Sequence, residues 1–305
     1  MESKKLIVTA SPHITNHTST RGLMLNVCIA LLPALVASTL IFGARALLVT
    51  GVTVAACVGF EALYCVVMKK PVPVGDFSAV VTGMILAFNL PATIPLWIAI
   101  IGAFVAIVVA KQLFGGLGFN FANPALLGRI VLFIGFAGRM TAYAFPQTDI
   151  DALASATPLM AGKDMLLQLL LGAHGGVLGE TCAVALILGG IYLIATKTIS
   201  AAIPLSYIGT VAVLSLVLGQ DVVLQLFSGG LLLGAFFMAT DYVTSPFTFT
   251  GRIVYGVCLG VITCIIRFYG NMAEGVSFAL LLMNLLVPYI NDLTRQKPLG
   301  GAKAK

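Results

Sequence analysis

The chain has 305 residues, of which 59% are hydrophobic and only 9% charged, where soluble domains carry about 25% charge. No soluble core of this length hides so much apolar surface, which excludes soluble enzymes, disordered tails, coiled coils and nucleic-acid binders. The net charge of +6 therefore reads by position, as a record of orientation in a bilayer rather than of an acidic partner.

Residues 1–22 are polar and hold no apolar signal-peptide core, so they read as a cytoplasmic segment. A transmembrane helix needs about 20 mostly apolar residues. Ten stretches approach that length: 23–42, 46–68, 77–90, 93–110, 124–136, 181–196, 201–218, 222–239, 253–266 and 275–290. The third, fifth and ninth are short, which marks them as candidates for broken helices. The expected fold is all-α, a polytopic membrane protein of ten transmembrane helices in two inverted five-helix repeats with interrupted helices. The repeats cover 23–137 and 179–291, joined by an outer loop at 138–178 and followed by a basic tail at 292–305.

The repeat rests on FSAVVTGMILAFNLP from Phe77 set against FSGGLLLGAFFMATDYVTSP from Phe227. The two share their start, a glycine (Gly83, Gly234) after a one-residue shift, and a polar exit bearing proline. Five spans separate them, and an odd offset reverses direction through the membrane, as in inverted repeats whose interrupted helices build a site near the midplane. Chance similarity of two Gly- and Leu-rich helices is the alternative.

With both termini cytoplasmic, 12 of the 17 Lys and Arg residues lie inside, as the positive-inside rule requires. Arg45, Arg139, Lys163 and Arg267 fall outside, together with the acids Asp149, Asp151, Asp164, Glu180, Asp221 and Glu274. The long outer loop contains MLLQLLLG at 165–172, too short to span, which lies on the surface or docks on the bundle.

Three segments have the composition for chemistry. KQLFGGLGFNFAN, from Lys111 to Asn123 with Gly115, Gly116 and Asn120 inside it, is a Gly-rich turn entering a helix whose cap is Asn123 and whose first residue is Pro124. Free N–H groups there suit an anionic or carbonyl-bearing ligand; a plain cap after a tight turn is the alternative. ATDYVTSP, with Asp241, suits a cation or a flavin edge, or is a solvated loop. In the outer loop, Thr157 before Pro158 reads as an ordinary helix cap, or as an accessible hydroxyl for a bulky phosphate ester.

Glu61 and Arg129 lie inside spans, where an unpaired charge costs at least about 2.5 kcal/mol. They form a structural ion pair, or contact an ion or cofactor. With Asp241 and Glu274 they make up the ion-pathway candidates; Glu274 begins the tenth span, where a helix dipole already favours a carboxylate. The cysteines and histidines have no metal-ligand spacing, and neither a phosphate loop nor a nicotinamide fingerprint is present.

Taken together, SPHI at Ser11, ALLPA at Ala30, FSAVVTGMILA at Phe77, KQLFGGLGFN at Lys111, NPA at Asn123, SATPL at Ser155, GETCAVALILGG at Gly179, GAFFMATDYVTSP at Gly234 and EGVSFALLLMN at Glu274 make the chain similar to a known family. It resembles the D subunit of the Rnf electron-transport complex and the related B subunit of sodium-translocating NADH:quinone reductase. The resemblance implies FMN attached covalently, through a phosphoester, to a threonine in a motif like Asp-x-x-Ser/Thr-Gly-Ala-Thr. Asp151, Ala156 and Thr157 match that motif, while Ala154 and Ser155 stand where Ser or Thr and Gly are usual.

It further implies electron flow between ferredoxin and NAD coupled to Na⁺ or H⁺ movement, in a bacterial inner membrane, with other Rnf subunits and a flavin transferase as partners. By the same resemblance the chain is inactive alone, and a second, non-covalent flavin is left open. A small-solute channel or transporter of inverted-repeat fold is the competing expectation.

Overall fold

The structure, a computed structural model, describes residues 19–143, 166–172, 175–270 and 275–295. Helix α1 (Thr20–Phe42) starts where the Ser19 hydroxyl accepts from Gly22 N–H at 3.1 Å, and it stops at Gly43, whose φ of 73° glycine adopts without strain. Then come α2 (Ala44–Val67), α3 (Ser78–Phe88), α4 (Leu96–Phe104) and α5 (Pro124–Gly135). After the outer connection the chain forms α6 (Ala183–Ala195), α7 (Ala202–Val217), α8 (Val222–Phe227), α9 (Leu231–Leu233), α10 (Phe249–Tyr269) and α11 (Gly275–Thr294). No strand occurs among the described residues.

Helices α1, α2, α10 and α11 are long and apolar enough to cross a bilayer, and α3 to α7 are shorter apolar helices between them. The chain is a multi-pass helical membrane protein. The ninth stretch, expected to be broken, is instead the continuous 21-residue α10. Its charged ends, Arg252 and Arg267, lie within the helix, whereas an apolar window stops short of them.

The interruption falls in the eighth stretch. Between α8 and α9 the chain turns at Ser228, Gly229 and Gly230, with both glycines at positive φ. α9 then widens into a π segment, Gly234–Met238, where Ala239 N–H reaches back five residues to the Gly234 carbonyl at 2.7 Å. α4 widens in the same way over Val105–Gln112, with Leu113 N–H on the Val108 carbonyl at 3.0 Å. Such π turns are rare and concentrate at functional positions.

The packing puts small residues where helices touch. α1 lies on α6, α2 on α3 and α4, and α7 on α10. At the first contact Gly189 meets the Ala30 carbonyl so closely that a Cβ would collide with it, which is how glycine lets membrane helices approach. α2 and α7 also end alike. Met68 and Leu218 both sit at φ −86°, ψ 5°, and Lys69 and Gly219 then turn to φ 53° and 67°. Cys57, Glu61 and Cys65 are buried along α2 at the same steps from its end as Tyr207, Val211 and Ser215 along α7.

Helix α3, with 11 residues, leaves carbonyls free at its end, and the chain after the outer connection returns to use them. Leu178 N–H donates to the Leu90 carbonyl at 3.0 Å and Gly179 N–H to that of Phe88 at 2.9 Å. Glu180, expected on the outer side, is thereby carried into the interior and buried. The short helix Leu166–Leu171 docks on α6 and α8 and buries Leu169, which is the docked alternative for MLLQLLLG.

Candidate functional site

A cleft opens among α1, α3, the π segments of α4 and α9, and the loops that follow them. Ile85, Phe236 and Phe237 form its apolar wall, and Lys111, Asn120, Asn123, Thr240 and Asp241 its polar edge. Apolar walls with a few converging polar groups are the ordinary makeup of a small-molecule site.

Lys111 is the residue whose place differs most from expectation. It reads from sequence as an inner-loop cation. The extra π residue of α4 instead turns it inward, where it is 2% exposed and its Nζ lies 2.6 Å from Oε1 of the fully buried Glu61. Gln112 Nε2 donates to the same oxygen at 2.8 Å. Lys111 Nζ donates also to Ser78 Oγ at 2.6 Å, and Ser78 Oγ donates to Asp76 Oδ1 at 2.6 Å. Glu61 Oε2 accepts no hydrogen bond among the described residues.

The expected pairing of Glu61 with Arg129 is thus corrected: the partner of Glu61 is Lys111. Arg129 NH1 donates instead to Asn89 Oδ1 at 2.6 Å, at the end of α3. It also comes near Glu180, since a Cβ on Gly230 would lie 4.0 Å from Arg129 NH1 and 3.7 Å from Glu180 Oε2. Arg129, Asn89, Glu180 and the start of α9 meet deep in the bundle.

Arg267, expected outside, is buried too. Its NH1 donates to the Gln225 carbonyl at 2.7 Å, and its NH2 to those of Ser228 and Gly229 at 2.9 and 3.0 Å. One basic residue near the end of a long helix therefore holds the start of each short buried helix, Lys111 for α3 and Arg267 for α9. Basic charge at the edge of an apolar run was the only signal for either, and it reads equally as a loop.

The expected free donors at the start of α5 are absent. Pro124 has no N–H, and Asn123 Oδ1 takes those of Ala125 and Leu126 at 3.1 and 3.3 Å. Asn123 N–H itself is held by Asn284, whose amide, oriented to satisfy both ends, accepts from it at 3.2 Å and donates to the Thr244 carbonyl at 3.3 Å and the Tyr255 hydroxyl at 2.8 Å. The cap reading holds at this helix start, and what Asn123 and Asn120 bring to the cleft is side-chain surface. Gly115 and Gly116 sit behind it, shaping the turn at φ 123° and 97°. Asp241 lines the cleft and accepts from Thr244 Oγ1 at 3.2 Å; burial pushes its carboxyl above the usual range, against the pull of the Val243 and Tyr242 N–H groups, the Thr244 hydroxyl and Lys111. Asp151, Ser155, Ala156, Thr157 and Glu274 lie outside the described residues.

The profile of the NQR2, RnfD, RnfE family matches residues 7–300. The chain belongs to this family. It is 46% identical to the D subunit of the Na⁺-translocating ferredoxin:NAD⁺ oxidoreductase complex of Acetobacterium woodii, over 100% of this chain and 98% of that one. It is 38% identical to the proton-translocating counterpart of Clostridium ljungdahlii, over 96% of each chain. It is 36% identical to the D subunit of the ion-translocating oxidoreductase complex of Stutzerimonas stutzeri, over 93% of each.

Proposed function

We propose that this chain is the flavin-carrying membrane subunit of an ion-translocating complex that passes electrons between ferredoxin and NAD. The observation that carries this reading is the 46% identity to a subunit of that description over the full length of both chains. In this reading Thr157 holds FMN as a phosphoester, with Asp151, Ser155 and Ala156 around it, on the extracytoplasmic side and with both termini cytoplasmic. A flavin transferase loads it. The chain does not turn over alone, so electrons arrive from and leave to the other subunits.

The cleft suits a second, non-covalent flavin. A flavin supplies one- and two-electron transfer when bound. Phe236 and Phe237 offer flat apolar surface to its ring system, and the amides of Asn120 and Asn123 offer donors to its carbonyls. An ammonium has three donors and Lys111 spends two on Glu61 and Ser78, so one is left for the cleft. Glu61, Arg129, Asp241 and Glu274 remain the acids and base of the ion pathway, with Glu61 first.

The matching ends and buried positions of α2 and α7, and the paired roles of Lys111 and Arg267, support two inverted repeats of five helices, 23–137 and 179–291. The test is flavin fluorescence on a denaturing gel. The native subunit should fluoresce and Thr157→Ala should not, with the fold intact because a surface cap is worth about 1 kcal/mol. Undiminished fluorescence in that variant overturns the attachment site. A dark native subunit favours a solute channel or transporter.

A further inference from the structure

We propose that Asp76, Ser78 and Lys111 form a proton-entry chain that delivers protons from solvent to Glu61 beside the cleft. The proposal rests on the reading of the cleft as a redox site, because a negative charge arriving there is what draws a proton in.

The chain is continuous in the structure. Asp76 is half-buried, in the turn between α2 and α3, and accepts at Oδ1 from Ser78 Oγ at 2.6 Å. Ser78 Oγ accepts from Lys111 Nζ at 2.6 Å, and Lys111 Nζ donates to Glu61 Oε1 at 2.6 Å. Every link joins groups able to give and take a proton, and none needs a gap to be filled. The other titratable groups around it are Cys57 and Cys65, on the helix of Glu61, and Asp241 across the cleft.

Glu61 is built to receive. It is fully buried, and Oε2 has no donor among the described residues. A carboxylate so placed has half of its charge uncompensated by hydrogen bonds, which favours the protonated form once the neighbouring ammonium loses its proton. Arg267, in the matching position on α9, marks the contrast. A guanidinium does not deprotonate in proteins, and this one donates to backbone carbonyls. It anchors without conducting, whereas a lysine can do both.

The transfer balances. The Nζ–H bond of Lys111 breaks and an O–H bond forms at Glu61 Oε1, leaving an amine and a carboxylic acid. The Ser78 hydroxyl then turns to donate its proton to that amine while accepting one from Asp76, which has taken it from water. Ser78, Lys111 and Asp76 end as they began, and one solvent proton resides on Glu61. No electron moves within the chain.

The test uses the whole purified complex, reduced with dithionite and followed by time-resolved infrared spectroscopy of the protonated carboxyl region. A band absent from Glu61→Gln should appear on reduction. Ser78→Ala should slow its appearance about tenfold or more, the low end of what a positioned proton donor contributes, and Ser78→Thr should restore the rate. A solvent deuterium effect present in the native complex should be retained in Ser78→Thr. Appearance at the native rate in Ser78→Ala, or no Glu61 band in a native complex that carries flavin in the cleft, overturns the proposal. A complex from which no non-covalent flavin can be extracted refutes instead the reading of the cleft on which it rests.

Discussion

Lys111 Nζ and Glu61 Oε1 are 2.6 Å apart with both side chains closed to solvent, so neither charge is tolerable without the other. Removing one partner of a buried pair costs about 3–5 kcal/mol, because the survivor is left uncompensated. Lys111→Met should therefore lower the thermal stability of the detergent-solubilised subunit strongly. Combining it with Glu61→Gln should recover most of the loss. Equal instability of the single and double variants would show that the pair does not act as a unit.

The contact between α1 and α6 gives a second prediction. A methyl on Gly189 would strike the Ala30 backbone carbonyl, which cannot swing aside as a side chain could. Gly189→Ala should cost about 1–3 kcal/mol, the usual penalty of overpacking. Gly59, in α2, has open space around its Cα, so Gly59→Ala should leave stability unchanged or raise it by up to about 1 kcal/mol through helix propensity. Thermal unfolding of the two variants side by side checks the packing; equal effects would contradict it.

How far the sequence revealed this architecture follows from what hydropathy can see. Long apolar runs announced α1, α2 and α11 almost to the residue, since the bilayer imposes their length. Asn123 was legible as a cap because Asn before Pro has a local reason to be there. Lys111, Arg267 and Glu180 were not legible. Each is polar, each borders an apolar run, and burial depends on partners far along the chain: Glu61, Ser228 and the carbonyls ending α3. The same blindness shortened α10, whose terminal arginines are inside the helix.

Orientation gives the third prediction. With 12 of 17 basic residues inside, position 157 faces outward. A cysteine placed there, in a variant lacking the six free native cysteines, should react with a membrane-impermeant thiol reagent in intact cells. A cysteine near either terminus should react only after lysis. The reverse pattern would invert the topology.

The last prediction concerns Asp241, the half-buried acid of the cleft. Burial raises its carboxyl above the ordinary range, and the opposing hydrogen bonds of Val243, Thr244 and Tyr242 and the charge of Lys111 do not cancel that. Between the ordinary carboxylate value and the raised one, the folded state holds a proton that the unfolded chain has released. Linkage then makes stability fall as pH rises through that interval, with the full contribution present only below it. Asp241→Asn removes the titrating group and keeps an amide of similar shape. Carboxylates elsewhere titrate in both proteins and cancel in the difference. Thermal unfolding across the acid range should therefore show the native protein losing stability relative to Asp241→Asn as pH rises past the ordinary carboxylate value, then running parallel to it once Asp241 is ionised in both states. Curves that stay parallel throughout, or a native protein that gains on the variant, would place Asp241 in a solvated loop with an unshifted carboxylate and remove it from the cleft's polar edge.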